Sequence, residues 1–109
     1  MFYDEYELLE LFESEPEELY QEGAGFYMYS KIDNLGFQIL LYISQSENKC
    51  IISLSNDMYN WTLFDFELYH IESIRNENEC LKIRGNSGKT EVDIQFKPRF
   101  SLTAIKLSD

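Results

Sequence analysis

The stretch 61-WTLFDFELYHIESIR-75 decides how the rest of the chain is read. Thr62, Phe64, Phe66 and Leu68 fall on one side, and Leu63, Asp65, Glu67 and Tyr69 on the other. Period-2 alternation with one aromatic-aliphatic face and one acid-bearing face predicts a strand with one side buried. Its length predicts pairing on both sides, at the centre of an antiparallel sheet.

Short alternating segments lie outward from it in both directions. Upstream, strands are expected at Phe26–Ser30, Phe37–Ile43 and Lys49–Ser55, with turns at Asp33–Gly36 and Ser44–Lys49. Downstream, Cys80–Arg84 and Thr90–Phe96 flank Gly85–Asn86–Ser87–Gly88, the strongest hairpin signal in the chain. Pro98 breaks the pattern before a last strand at Phe100–Leu107. Before the strands, helical spacing over residues 3–13 gathers Phe2, Leu8, Leu9 and Phe12 on one side. Asp4, Glu7 and Glu10 fall on the other, with Tyr3 and Leu11 among them. Ser14–Glu15–Pro16–Glu17 fits a capping box for a second short helix over 15–22, closed by Gly23.

The expectation is one α+β, mainly β domain over 1–109, with an acidic helical segment at 1–24 and an antiparallel meander of about seven strands at 25–109. Such a sheet can curl into a partly open barrel, fold into two layers, or stay open with the helices on one face. The apolar helix faces favour the last.

A chain of 109 residues with 44% apolar and 16% aromatic residues can bury a core without staples. Its net charge is −11, from 20 acids and 9 Lys plus Arg. Residues 1–22 hold nine acids and no Lys or Arg, whereas seven basic residues follow from Arg75 onwards. The negative field therefore comes from the front of the chain. It repels nucleic acid and anionic membranes and attracts basic proteins. The opening residues lack a signal-peptide pattern, and the longest apolar run, 39-ILLYI-43, is far too short to span a bilayer. The expectation is a soluble cytoplasmic protein in which Cys50 and Cys80 stay reduced.

No serine elbow, phosphate loop, dinucleotide fingerprint or calcium loop occurs. One histidine, His70, and two distant cysteines do not make a metal site. No catalytic residue, metal or cofactor is expected. Paired acids such as Asp65/Glu67 and Glu91/Asp93 can do acid-base chemistry, but they are also the ordinary solvent face of a strand. If Lys82 and Arg84 stand beside Glu91 and Asp93, cross-strand pairing accounts for the second pair. The acidic N-terminal segment either only solubilises the domain or docks a basic partner. Tyr3 and Leu11, beside Asp4, Glu7 and Glu10, offer anchors for docking. Tyr27 and Tyr29, opposite Phe26 and Met28, extend the patch, and Asp65 and Glu67 offer a second surface on the sheet.

A short acidic helix followed by a meander carrying F-D-F-E-L-Y-H-I-E-S-I and I-Q-F-K-P-R-F-S-L resembles small single-domain proteins of low-GC Gram-positive bacteria. Among these are the immunity proteins of polymorphic toxin systems. The resemblance implies a cytoplasmic, non-enzymatic inhibitor of a toxin domain, often a basic nuclease. The alternatives are a homodimeric interaction domain of a bacterial or phage protein and, as a third class, an enzyme. A DNA mimic, with carboxylates in place of phosphates, is a variant of the first.

Overall fold

The alternation of 61–75 breaks at Tyr69–His70, and there the chain passes from one sheet to another. The computed structural model describes residues 1–107; positions 108–109 of the expected domain lie outside the described residues. His70 takes a left-handed backbone (φ 56°), so the stretch becomes two strands in different sheets. The elements are β1 (Phe2–Tyr3), α1 (Glu5–Phe12), β2 (Glu17–Glu18), β3 (Phe26–Ile32), β4 (Phe37–Ser44) and β5 (Lys49–Asn56). Then follow β6 (Trp61–Leu68), β7 (Ile71–Glu77), β8 (Cys80–Gly85), β9 (Thr90–Gln95) and β10 (Ser101–Lys106). One sheet runs β2-β3-β4-β5-β6 and the other β1-β7-β8-β9-β10, with β1 parallel to β7 and all other pairs antiparallel.

The mainly β, α+β expectation holds, but its finer detail needs correcting. Among the described residues, ten strands in two layers replace about seven in one open meander. The stretch expected at the centre supplies β6, an edge strand paired only with β5. Helix 15–22 does not form either. Pro16 biases Glu15 away from helical backbone, and Glu13, Glu15, Glu17 and Glu18 would crowd one short helix with like charge. Glu17 and Glu18 instead pair with Met28 and Tyr27, and the Leu19 N–H donates to the Phe26 carbonyl (2.8 Å).

The register explains why two layers form. Inward rows of the first sheet read Tyr27–Ile43–Cys50–Leu68, Tyr29–Leu41–Ile52–Phe66 and Lys31–Ile39–Leu54–Phe64. The second sheet offers Ile74–Ile83–Val92 and Asn76–Leu81–Ile94, continued onto the edge strand β10 by Ile105 and Leu102, which are exposed. Two mostly apolar faces of similar size bury each other more completely than one eight-residue helix could cover either. Residues of both sheets and of α1 form one buried core.

Helix α1 closes the side of the sandwich between β3 and β7. It buries Leu8, Leu11 and Phe12 rather than Phe2, which sits in β1 and is exposed. The Phe12 ring meets Tyr29 of the first sheet at 5.3 Å and Phe96, just past β9, at 5.1 Å. At the crossover, the Ile71 N–H donates to the Asn48 carbonyl (2.8 Å) and the Asn86 N–H to the His70 carbonyl (3.0 Å). A Cβ on Gly85 would lie 2.7 Å from that His70 oxygen, so glycine is required for the close approach.

Candidate functional site

Charge divides the chain along its sequence. Up to residue 74 there are fifteen acids and two lysines, and both lysines are occupied. Lys31 pairs with Glu13 (2.9 Å) and Lys49 with Glu67 (2.7 Å). The second sheet neutralises itself. Lys82 lies opposite Asp93 and Arg84 opposite Glu91, and Arg84 reaches diagonally to Asp93. Those carboxylates are accounted for by their neighbours.

The helix acids are distributed differently from their helical angles. Asp4 is the N-cap of α1 and accepts the Tyr6 N–H at 2.8 Å. Glu7 turns towards β7, where one carboxylate oxygen accepts from Arg75 Nε (3.1 Å) and from the Asn76 N–H (2.9 Å). These bonds hold its carboxyl below the usual range. Glu10 alone of the three stands exposed without such a tie. Leu11 and Tyr29, put forward as surface residues, are 4% and 1% exposed and belong to the core. Their strand and helix faces turn inward because the second sheet, absent from a one-layer picture, covers them.

Tyr3 and Tyr27 are half-buried and meet Tyr29 in a groove between α1 and the β2–β3 edge. Burial first, then Tyr27 and Glu5, push the Tyr3 hydroxyl up to about 12. A hydrogen bond to Glu18 raises the Tyr27 hydroxyl. Burial raises Tyr29 further, with Tyr3, Glu5 and Glu15 adding to it. Asp65 is exposed opposite Ser53 on the outer face of β6. Its neighbour Glu67 is engaged by Lys49 and by the Tyr69 hydroxyl (2.6 Å).

One feature escaped the sequence reading. At the end of the first sheet the β3–β4 and β5–β6 turns come together, and six large apolar residues remain exposed there. They are Ile32 (54%), Leu35 (65%), Met58 (69%), Tyr59 (72%), Trp61 (64%) and Leu63 (46%). The tip is held in shape. Buried Asn56 donates to the Leu35 carbonyl (3.4 Å) and accepts the Met58 N–H (3.0 Å). The Asp57 N–H donates to the Gly36 carbonyl (3.0 Å). Gly36 has φ 87°, and a Cβ there would lie 2.8 Å from the Met58 side chain. Asn56–Asn60, between the strand expected at Lys49–Ser55 and the 61–75 stretch, reads in sequence as a connecting loop, because Asn and Asp bracket it. Met58-Tyr59 next to Trp61 was the available signal.

His70 is exposed at the opposite end of the sandwich, where its backbone rather than its ring carries the crossover. Cys50 and Cys80 are buried free thiols, and burial pushes Cys50 up to about 12. Among the described residues no group of three or more His, Cys, Asp or Glu is placed to hold a metal ion. No helix among them is long and apolar enough to cross a membrane.

No protein-family model matches the chain, and no curated protein matches it. Among solved structures, the fold is similar to a chain of a contact-dependent growth inhibition toxin–immunity protein complex from Klebsiella pneumoniae 342. The TM-score is 0.74 over 92% of this chain and 90% of that chain, at 19% sequence identity. At that identity the likeness is one of fold.

Proposed function

We propose that this chain is an immunity-type protein, a non-enzymatic inhibitor that binds a basic toxin or nuclease domain in the cytoplasm of a bacterium. The fold likeness supports a place in a toxin–immunity pair. The charge partition carries the choice of side. Fifteen acids with only two lysines, both internally paired, line the first 74 residues. Such a field opposes a nucleic-acid substrate and steers a basic protein to the surface. The exposed aromatic tip supplies what charge does not. Interfaces gain most of their affinity from a few buried aromatic and aliphatic anchors, and Trp61 and Tyr59 are side chains of that kind. Tyr3 and Tyr27, in the groove beside α1, and Glu10 and Asp65 offer further aromatic and acidic surface away from the tip, while Asp4 and Glu7 hold the helix.

The test is co-expression with the toxin-like domain encoded beside this gene. Rescue of growth, a stable 1:1 complex, and loss of both in a folded Trp61→Ala/Tyr59→Ala variant are the expected results. A toxin equally lethal with and without the chain would refute the reading. The exposed tip, with the unpaired edges of β6 and β10, also favours a second reading, a homodimeric interaction domain. Sedimentation of the pure chain as a dimer that the same variant dissociates would favour it.

A further inference from the structure

The groove between α1 and the β2–β3 edge has a volume of about 380 Å³. Four tyrosines, Tyr3, Tyr6, Tyr27 and Tyr29, and two carboxylates, Glu5 and Glu15, line it, and no lining residue is basic. Tyr29 is fixed in the core against Phe12. Tyr3 is paired through β1 to Ile74, and Tyr27 through β3 to Ile43. The Tyr3, Tyr27 and Tyr29 walls are therefore set by the sheets, while Tyr6 stands exposed on α1. Liquid water occupies about 30 Å³ per molecule, so the groove has the room of roughly a dozen waters, ample for one long side chain.

An anion would meet the carboxylates, and a purely apolar ligand would strip water from them without return. A cation on an apolar stem satisfies both kinds of wall. The methylenes lie along the rings, the charge meets the aromatic faces, and the carboxylates neutralise it. We infer that this groove binds one Lys or Arg side chain presented by a basic partner protein, with the Tyr3, Tyr6 and Tyr27 rings receiving the stem and Glu5 and Glu15 the charge. Burial is the main cause of the raised Tyr3 and Tyr29 hydroxyls, and Glu5 at both, with Glu15 at Tyr29, adds to it. The identity of the partner as a basic protein rests on the proposed function; the cation preference of the groove does not.

The probes are N-acetyl-arginine amide and N-acetyl-lysine amide, titrated into the pure chain and followed by NMR. N-acetyl-citrulline amide and N-acetyl-norleucine amide serve as neutral controls of similar shape. The charged amides should give saturable shifts in the Tyr3, Tyr6 and Tyr27 rings with a dissociation constant in the millimolar range, the strength expected of one partly exposed cation–aromatic site. The Glu5→Gln/Glu15→Gln variant, which changes two exposed side chains, should keep its thermal midpoint and weaken binding by about fivefold or more. Equal shifts from the neutral amides, no saturation up to about 100 mM, or unchanged binding by the variant would overturn the inference. Spermidine binding more than about tenfold tighter than either amide would assign the groove to a free polyamine and overturn the protein side chain. These readouts need no toxin, so their failure is separable from failure of the rescue experiment.

Discussion

Replacing Phe12 with Ala should unfold the chain more easily than any aromatic truncation on β6. Phe12 is 2% exposed, and its ring touches Tyr29 at 5.3 Å and Phe96 edge-on at 5.1 Å, so it joins α1 to both layers at once. Truncating a buried Phe costs about 3–5 kcal/mol. Two aromatic contacts, each contributing about 0.5–1.5 kcal/mol beyond area, place Phe12 at the upper end. Phe66 is the useful comparison. It lies on the inward face of the 61–75 stretch but is only half-buried on an edge strand, with Phe64 stacked against it at 5.0 Å. About half the loss, roughly 1.5–2.5 kcal/mol, is expected there. A domain of this size is stable by about 5–15 kcal/mol, so Phe12→Ala should remove a third or more of the total. At about 4–8 °C per kcal/mol, a loss of about 5 kcal/mol should lower the melting temperature by roughly 20–40 °C. Urea unfolding followed by circular dichroism and fluorescence gives both losses, provided the slopes agree with wild type. Equal losses for Phe12→Ala and Phe66→Ala would refute the reasoning, because β6 would then be as central as the helix.

Glu7→Gln should flatten the acid limb of the stability curve. Its carboxyl is depressed by Arg75 and the Asn76 amide, so its contribution is full above the ordinary carboxylate range and is lost as pH falls through the depressed value. Wild type and variant should therefore converge at low pH and differ near neutrality; parallel curves throughout would show the tie to be inert. Neither Cys50 nor Cys80 should react with a thiol reagent in the native protein, and both should react in denaturant; a fast native thiol would contradict their burial. Asp4→Lys should cost about 1 kcal/mol of stability as a lost N-cap, whereas Glu10→Lys/Asp65→Lys should leave stability unchanged and slow association with the proposed basic partner. Stopped-flow rates that are the same for that double variant and wild type would remove these acids from the steering surface.

Alternation and turn chemistry made the individual strands legible. Strands at 37–44, 49–56, 80–85 and 90–95 lie within a residue or so of their expected bounds, because each has a one-sided apolar face and a polar turn. Layering was not legible. A strand buried on one face reads the same at the edge of a sheet as at its centre, and Tyr69-His70 carries no Gly or Pro to mark a change of sheet. The left-handed backbone at His70 is imposed by partners far away in sequence, Asn48, Gly85 and Asn86. The same blindness affected the site. Helical angles placed Glu7 on the outer face, but the outer face of α1 is outer only where β7 is not, and Arg75 lies 68 residues away. Tyr3 and Tyr27 were noticed as surface aromatics, yet only the pairing of β1 with β7 and β2 with β3 brings them to one groove with Tyr29.

The charge partition has a further consequence, in which folding and binding oppose each other. Fifteen acids over the first 74 residues repel one another in the free chain, and the two lysines there neutralise only Glu13 and Glu67. Self-repulsion of this kind weakens the compact state. A basic partner that binds only the folded chain relieves it, and so stabilises the fold by mass action as well as by contact. Salt acts on the same field from the other side. Screening shortens its reach from about 10 Å at 0.1 M to about 3 Å at 1 M, which reduces the repulsion within the chain and the attraction across the interface together. Raising sodium chloride should therefore raise the melting temperature of the free protein while lowering its association rate with the proposed basic partner. The two trends can be measured on one preparation by calorimetry and stopped-flow. If the free protein gains no stability from salt while association slows, the acids are spaced widely enough not to oppose folding. If association is salt-independent, the acids do not face the partner, and the exposed tip around Trp61 and Tyr59 must carry recognition alone.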